Sequence, residues 1–476
     1  MNATFFSKSH LSLVTGHSSL VTRHFLLIAL LLLASCATLQ PPPQPPILGG
    51  GGEANPGLKT NAAALKNFQD MRFGMFVHWG PISLKGTEIG WSRGREIPIS
   101  TYDSLYLQFN PVNFNADEWI SLAKEAGMKY FVITTKHHDG FTLWPSEYTN
   151  YDIASTPYKK DVLKEMELAC EKQGVLFGTY HSVLDWHHPD YTTRYGGDTR
   201  PVDSTTMVNY KKYLFNQVGE LIRNYHTNII WFDGQWERSW THQDGMELYQ
   251  YIRGLRDDIL VNNRVDKGFK VGAGIADSIE KYAGDYGTPE QKIGGFNRDY
   301  PWESCITIGE QWSWKPNDKL KSVDEIVYTL IKTVGGDGNL LLNVGPMPDG
   351  RIEPRQVEIL KGVGKWIKVN GEGIYGTRGG PFLPTDQMAS THSGQVIYLY
   401  VMDKSLRKII LPLPQGVKAT RVNILGGKMV KYDNRDRKLV VRVPDNLPDS
   451  PAYVLKIRIN RNAGDLEPVT LKEGSN

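Results

Sequence analysis

Between residues 75 and 345 short apolar runs alternate with longer amphipathic stretches. The runs are MFVHW (75–79), YFVITT (130–135), VLFGTY (175–180), NIIWFD (228–233), DILVNN (258–263) and NLLLNVG (339–345). Such near-continuous apolar runs suit strands buried on both faces, as in a parallel sheet. The stretches 115–127, 161–174, 208–225 and 322–335 read as helices, the first opening on a cap-like Asn115 with Glu118 three residues later. The order is βαβα. Over roughly 300 residues, with polar residues repeatedly following the strands, it predicts a (β/α)8-like (TIM-type) barrel rather than a doubly wound sheet, although only six strands are legible. The barrel is assigned to residues 58–376.

After a helix-like stretch at 353–369 the period changes. VIYLYV (396–401), KIILPL (408–413), TRVNIL (420–425), KLVVRV (438–443) and YVLKIRI (453–459) are separated by Gly, Asn, Asp and Pro turns. They predict a small antiparallel β-sandwich at 377–462, read as a structural appendage rather than a sugar-binding module, followed by a polar tail at 463–476.

The N-terminal region has another pattern. FLLIALLLLA (25–34) is too short to span a bilayer, which takes about 20 residues, and it follows the basic Arg23. Residues 1–35 therefore read as a signal peptide. The run ends in Leu33-Ala34-Ser35-Cys36, which resembles a bacterial lipoprotein box with Cys36 as the lipidated residue. QPPPQPPILGGGG (40–52) then places a stiff proline block before a flexible glycine block, so residues 36–57 read as a lipidated Cys and tether. The expected location is the bacterial cell envelope, exported and lipid-anchored, with Ala37 after Cys36 favouring the outer membrane.

At 476 residues and 40% hydrophobic content, the chain can bury a large core. Lys plus Arg number 54 against 51 Asp plus Glu. This balance gives no reason to expect a nucleic acid or another polyanion as partner. Cys170 and Cys305 lack the short spacing of zinc or redox motifs and read as free structural thiols.

Catalytic groups of such barrels sit where strands end. The runs lead into His78-Trp79-Gly80, Lys136-His137-His138-Asp139-Gly140, His181-Ser182 with Asp185-Trp186, Asp233-Gly234 and Arg264. Singly, each has a bland reading as a core histidine, a surface turn or a helix cap. Together they describe a pocket of neutral donors and acceptors, three or four histidines and one tyrosine, with one cation in Arg264 and the indoles Trp79, Trp91, Trp231 and Trp312. Such groups suit a sugar, whose hydroxyls take hydrogen bonds and whose C–H faces take aromatic rings. No metal is expected, because adjacent histidines on an extended segment point apart and no H-x-x-x-H or H-x-H occurs among them. Asp233 is strand-borne, and the following Gly234 would let a substrate approach the backbone, which suits a nucleophile. A retaining glycosidase needs a second carboxyl. Glu237, Asp285, Glu290 and Glu303 are the candidates downstream.

These residues fall into motifs: Phe73-Gly74-Met75-Phe76-Val77-His78-Trp79-Gly80, Phe109-Asn110-Pro111, Lys136-His137-His138-Asp139-Gly140-Phe141, Trp231-Phe232-Asp233-Gly234, Asn263-Arg264, Trp302-Glu303-Ser304-Cys305 and Leu340-Leu341-Leu342-Asn343-Val344-Gly345-Pro346. The chain resembles the α-L-fucosidases of glycoside hydrolase family 29 over about residues 58–376. The resemblance implies a retaining exo-α-L-fucosidase acting on fucosylated oligosaccharides or glycoconjugates without cofactor. It implies Asp233 as nucleophile, with His78, His137, His138, Arg264 and Trp312 holding the fucose ring and His181 standing where many members have Tyr. It places the acid/base on the loop between the Asn-Arg strand and the Trp-Glu motif. Glu290 is the choice there, with Glu303 second and Asp285 third. Trp91 carries over as a sugar contact, whereas the Glu that precedes this Trp in many members does not, leaving Glu88 or Glu96 to replace it. A silent fucose-binding lipoprotein, or a glycosidase of the same fold acting on galactose, is the alternative.

Overall fold

The computed structural model describes residues 60–268, 282–447 and 449–471. The signal peptide, Cys36 and the tether lie outside the described residues.

Seven parallel strands form the first sheet: β1 (Phe73–Val77), β2 (Tyr130–Lys136), β3 (Leu176–Ser182), β4 (Ile229–Asp233), β5 (Leu260–Val261), β6 (Glu303–Thr307) and β7 (Asn339–Val344). Their order is β5-β4-β3-β2-β1-β7-β6. The two edges meet through residues 286–290, which run parallel to both: Asn262 bridges Tyr286, Gly287 bridges Trp302, and Glu290 bridges Cys305. Asn263 donates to the Tyr286 carbonyl at 2.9 Å and Glu303 to that of Gly287 at 2.8 Å. What reads in sequence as a Gly/Pro-punctuated loop is thus a paired segment closing a TIM-like barrel, and it carries Glu290 to the rim. Sequence missed it because Gly287 and Pro289 interrupt the apolar pattern. β6 was missed because polar Glu303 and Ser304 open it.

Helices Ala116–Glu125, Val162–Gln173, Met207–Asn224, His242–Leu255, Val323–Gly335 and Pro354–Asn370 surround the strands. Their boundaries follow capping chemistry. The Asn115 carboxamide accepts from the Glu118 backbone, and Ser322 with Glu325 forms a reciprocal capping box. A further helix, Ala62–Met71, places Phe68 against the barrel interior.

Alternation along the strands sorts side chains between the barrel lumen and the helix layer. Phe76, Tyr130, Val132, Tyr180, Ile229, Trp231, Cys305 and Leu341 fill the lumen. Their neighbours Met75, Phe131, Phe177 and Leu340 pack under the helices. Gly74 makes room for Tyr130, since a Cβ there would lie 2.4 Å from its ring.

The C-terminal part is antiparallel. One sheet has the order β12-β15-β10-β9-β8, formed by β8 (Arg378–Gly379), β9 (Met388–Ser393), β10 (Val396–Val401), β12 (Ala419–Ile424) and β15 (Tyr453–Ile459). The other is β11-β14-β13, formed by β11 (Lys408–Pro412), β13 (Lys431–Arg435) and β14 (Lys438–Arg442). Ile397, Leu399, Leu455 and Ile457 of the first share one core with Ile409, Leu411, Leu439 and Val441 of the second. The opposite face of the five-stranded sheet, through Ala389, Tyr398, Tyr400 and Val454, joins the barrel's own core. Residues 463–471 depart from the expected polar tail: Ala463, Leu466 and Leu471 are buried in the sandwich core, and Val469 bridges Phe382. Their apolar residues are too sparse to show a period, yet each has a place to pack.

Candidate active site

The strand ends of β1 to β4 and the closing segment surround one pocket. Phe76, His78, Trp91, His137, Tyr180, Trp231, Asp233, Trp236, Glu290 and Trp312 line it, and it encloses about 440 Å³ including its mouth. Strand parity explains this membership. Phe76 and His78 from β1, Tyr180 from β3, and Trp231 and Asp233 from β4 all point inward.

The same parity removes two expected residues. His181 follows Tyr180 and faces the helix layer, its Nδ1 3.1 Å from the Thr135 hydroxyl and its ring beside Trp144. Tyr180 takes the pocket position instead. Trp79 likewise faces outward, packing with Phe109, Phe114 and Trp119 and donating from its indole to the Met347 carbonyl. Reading β3 with a period of two from Gly178 would have found Tyr180.

Arg264 joins the two carboxylates. Its Nη1 donates to Asp233 Oδ1 and its Nη2 to Glu290 Oε2, both at 2.9 Å. Nε donates to the Thr288 hydroxyl at 2.9 Å and the cation sits 4.8 Å from the Trp231 ring centre. Burial works against the guanidinium's charge, but the pull of Asp233 and Glu290 outweighs it and raises its pKa. The Tyr180 hydroxyl donates to Asp233 Oδ2 at 3.0 Å. Glu290 is the more open of the two, its side chain 41% exposed against 13% for Asp233. Asp233 is thus aimed from inside the pocket, and Glu290 stands at the mouth where a leaving group would exit.

The histidines are neutral acceptors. Burial lowers the pKa of His78 to about 3 against an opposing hydrogen bond that its ring donates to Asn343. Burial, then the charges of Arg264 and Lys136, lowers that of His138 to about 3. His137 is pushed well down by burial and its two histidine neighbours. Asn343 donates from Nδ2 to the Trp312 carbonyl and leaves Oδ1 for His78 Nδ1 at 2.7 Å. His78 therefore carries its proton on Nδ1 and offers Nε2 as acceptor. Ser182 donates to the Leu184 carbonyl, so His138 Nδ1, 2.7 Å away, donates to Ser182 and leaves its own Nε2 unprotonated, 3.7 Å from Asp233. His138 stands behind Asp233 rather than in the pocket wall. The bare Nε2 of His78 suits a hydroxyl donor.

The other carboxylates are committed elsewhere. Glu303 is fully buried in the lumen, accepting from the Tyr130 hydroxyl at 2.5 Å and the Trp231 indole at 3.0 Å. Burial raises its pKa to about 7 despite these bonds. It cannot reach a substrate, which overturns its place as second acid/base candidate. Asp285 pairs with Arg253 at 2.6 Å and accepts from the Val261 backbone. Glu237 accepts from the Trp186 indole and the Tyr191 hydroxyl. Glu88 accepts from the backbone amides of Trp312 and Ser313, so it orients Trp312 instead of facing the pocket, while Glu96 is exposed. Among the described residues no cluster of three or more His, Cys, Asp or Glu is arranged to hold a metal ion.

Two glycines carry conditions. Gly90 has φ +70°, and a Cβ there would lie 2.7 Å from His137 Nδ1. Gly234 has φ +94°, and its Cβ would meet Leu184 at 2.7 Å. The Asp-Gly step thus serves the turn after β4 and close packing on Leu184.

The family profile described as Alpha-L-fucosidase matches residues 54–372. The chain belongs to the α-L-fucosidase family. Human tissue α-L-fucosidase is 30% identical over 419 residues, 80% of this chain and 85% of that protein. Among solved structures, α-L-fucosidase isoenzyme 1 from Paenibacillus thiaminolyticus has a TM-score of 0.76 at 33% identity, covering 83% of this chain and 99% of that one. A family 29 α-L-fucosidase from Bacteroides thetaiotaomicron, solved as a trapped covalent intermediate with 2-fluoro-fucosyl fluoride in a Glu-to-Gln mutant, has a TM-score of 0.75 at 29% identity, covering 87% and 98%. The barrel and the pocket of this α-L-fucosidase family member thus fall within the matched region. β8 to β15 lie beyond the family profile.

Proposed function

We propose that the chain is a retaining exo-α-L-fucosidase acting on fucosylated oligosaccharides or glycoconjugates, with Asp233 as nucleophile and Glu290 as acid/base. The observation carrying this reading is the single guanidinium of Arg264 bridging an inner and a mouth carboxylate in a pocket for one sugar. In the first step an Asp233 oxygen bonds to the anomeric carbon as the glycosidic C–O bond breaks, and Glu290 gives its proton to the departing oxygen. In the second, water loses a proton to Glu290 and its oxygen displaces Asp233, regenerating the carboxylate and releasing fucose with retained configuration. His78 and His137 meet ring hydroxyls. Phe76 and Trp312, with ring centres 6.0 Å apart, form an apolar corner for the fucose methyl, whose burial contributes about 1 kcal/mol. Trp91, beside Trp236 at the mouth, adds a C–H-binding face.

An aryl α-L-fucoside tests the assignment. Asp233→Gly should abolish turnover by at least about a thousandfold, and azide should restore it as β-fucosyl azide. Near-normal turnover in this variant would overturn it, and preference for aryl galactoside would overturn the sugar. For the N-terminal region we propose export and lipidation at Cys36, leaving the enzyme anchored in the cell envelope, favouring the outer membrane. Loss of labelled fatty acid in Cys36→Ala is the check.

A further inference from the structure

The solvent-facing side of the β11-β14-β13 sheet concentrates positive charge. Alternation places Lys408, Ile410 and Pro412 of β11, Lys438, Val440 and Arg442 of β14, and Lys431, Asp433 and Arg435 of β13 on this face, while Leu411, Leu439 and Val441 point into the sandwich core. Cross-strand register aligns them in rows. Lys408, Arg442 and Lys431 stand directly opposite one another, as do Ile410, Val440 and Asp433, then Pro412, Lys438 and Arg435. Five cations therefore face solvent against one carboxylate, and that carboxylate, Asp433, pairs with Arg435. Among the described residues no acidic side chain lies within salt-bridge distance of Lys408, Lys431, Lys438 or Arg442. Like charges placed directly opposite destabilise a sheet. The whole chain is nearly neutral, with 54 basic against 51 acidic residues, so general composition does not account for the clustering.

We propose that this face binds an anionic polysaccharide carrying sulfate or carboxylate groups and so holds the enzyme on the glycan whose fucose it removes. The two cationic rows are four residues apart, about 14 Å at 3.4 Å per residue, on strands about 4.8 Å apart. Ile410 and Val440 form an apolar strip between the rows. Charged edges with an apolar centre complement an extended sugar chain, whose anionic substituents lie at its edges and whose C–H faces lie between. A solvent-facing sheet surface suits a polymer better than a small molecule. A lipid headgroup layer fits less well, because no aromatic residue stands on this face to anchor at an interface. The choice of a polysaccharide rests on the proposed fucosidase reading; the charge pattern does not.

Binding of the full-length enzyme to dextran sulfate, neutral dextran and phosphatidylglycerol vesicles tests the proposal. Wild type should bind dextran sulfate in low salt, release it in high salt, and ignore neutral dextran. Combining Lys408→Glu, Lys431→Glu and Arg442→Glu should weaken binding by at least about tenfold, and the milder set Lys408→Gln, Lys431→Gln and Arg442→Gln by less. An equal change of net charge elsewhere on the surface, through Lys124→Glu, Lys212→Glu and Lys368→Glu, should leave it within about twofold. Aryl fucoside turnover, read separately, should match wild type in all three and reports the fold and the catalytic reading independently. Equal weakening by the two Glu sets, or binding to vesicles without binding to dextran sulfate, would overturn the proposal.

Discussion

Glu290 and Glu303 occupy opposite environments although one ends the segment that closes the barrel and the other opens the strand paired with it. Glu290 is half-open and contacts Arg264, whereas Glu303 is sealed beneath Trp231. Two separable outcomes follow. Glu290→Ala should slow fucosides with poor leaving groups by at least about a thousandfold and activated aryl fucosides far less, since only the former need protonation; steady-state rates across a leaving-group series check this. Glu303→Gln should show no such dependence and should change stability against pH. The carboxyl's native pKa of about 7 lies above its unfolded value, so the native state holds the extra proton. Its contribution is present at acid pH and is lost as pH rises from about 4.5 through 7, by about 3 kcal/mol. The buried histidines work in reverse: with native pKa values lowered to about 3, His78 and His138 cost stability as pH falls below about 6.5. Comparing denaturant melts of wild type and Glu303→Gln at pH 5 and 8 isolates the glutamate, and wild type should lose ground to the variant on going to pH 8.

Elements hold the pocket through backbone as much as through side chains. The loop bearing Trp312 is gripped by Glu88, which accepts two of its backbone amides, and by Asn343, which donates to the Trp312 carbonyl and also fixes His78. Burial raises the Glu88 pKa against those amide bonds. Glu88→Ala leaves the amides unpaired and frees the indole, so KM for an aryl fucoside should rise about tenfold with a smaller effect on kcat. A fall in kcat at unchanged KM would instead place Glu88 in the chemical step. Much of the pocket was legible at this scale, because His78, Trp231 and Asp233 stand on strands whose apolar runs are plain and whose parity is fixed. Glu290 is singled out by its position between two motifs, while the pairing that carries it to the pocket is hidden by Gly287 and Pro289. His181 and Trp79 were misplaced because a polar residue after an apolar run says nothing of which side it faces until the register is known.

At the scale of the whole molecule, the C-terminal sheets are part of the barrel's packing. Ala389, Tyr398, Tyr400 and Val454 belong to the same core as the barrel helices, the Trp366 indole donates to the Ala452 carbonyl at 2.9 Å, and the Tyr328 hydroxyl to that of Pro451 at 3.0 Å. Ending the chain at residue 376 should expose this face and yield an aggregating, dye-binding barrel without fucosidase activity, measured by size exclusion and near-ultraviolet circular dichroism. A soluble, active truncation would make the sheets an accessory instead. The basic outer face lies on the other sheet, so the two sides of the sandwich have different work.

By itself the sequence determined the architecture, because apolar runs with periods near two and 3.6 admit few ways to bury their faces, and it determined that Asp233 ends a strand, because the apolar run fixes both strand and end. Its charge total argued against a polyanionic partner, since summation over the chain erases position. Only the tertiary structure decided which neighbours in a run face the lumen, that Glu303 is sealed while Glu290 is open, and that five cations from three strands share one surface. Each depends on strand register, set by contacts between residues far apart in the chain.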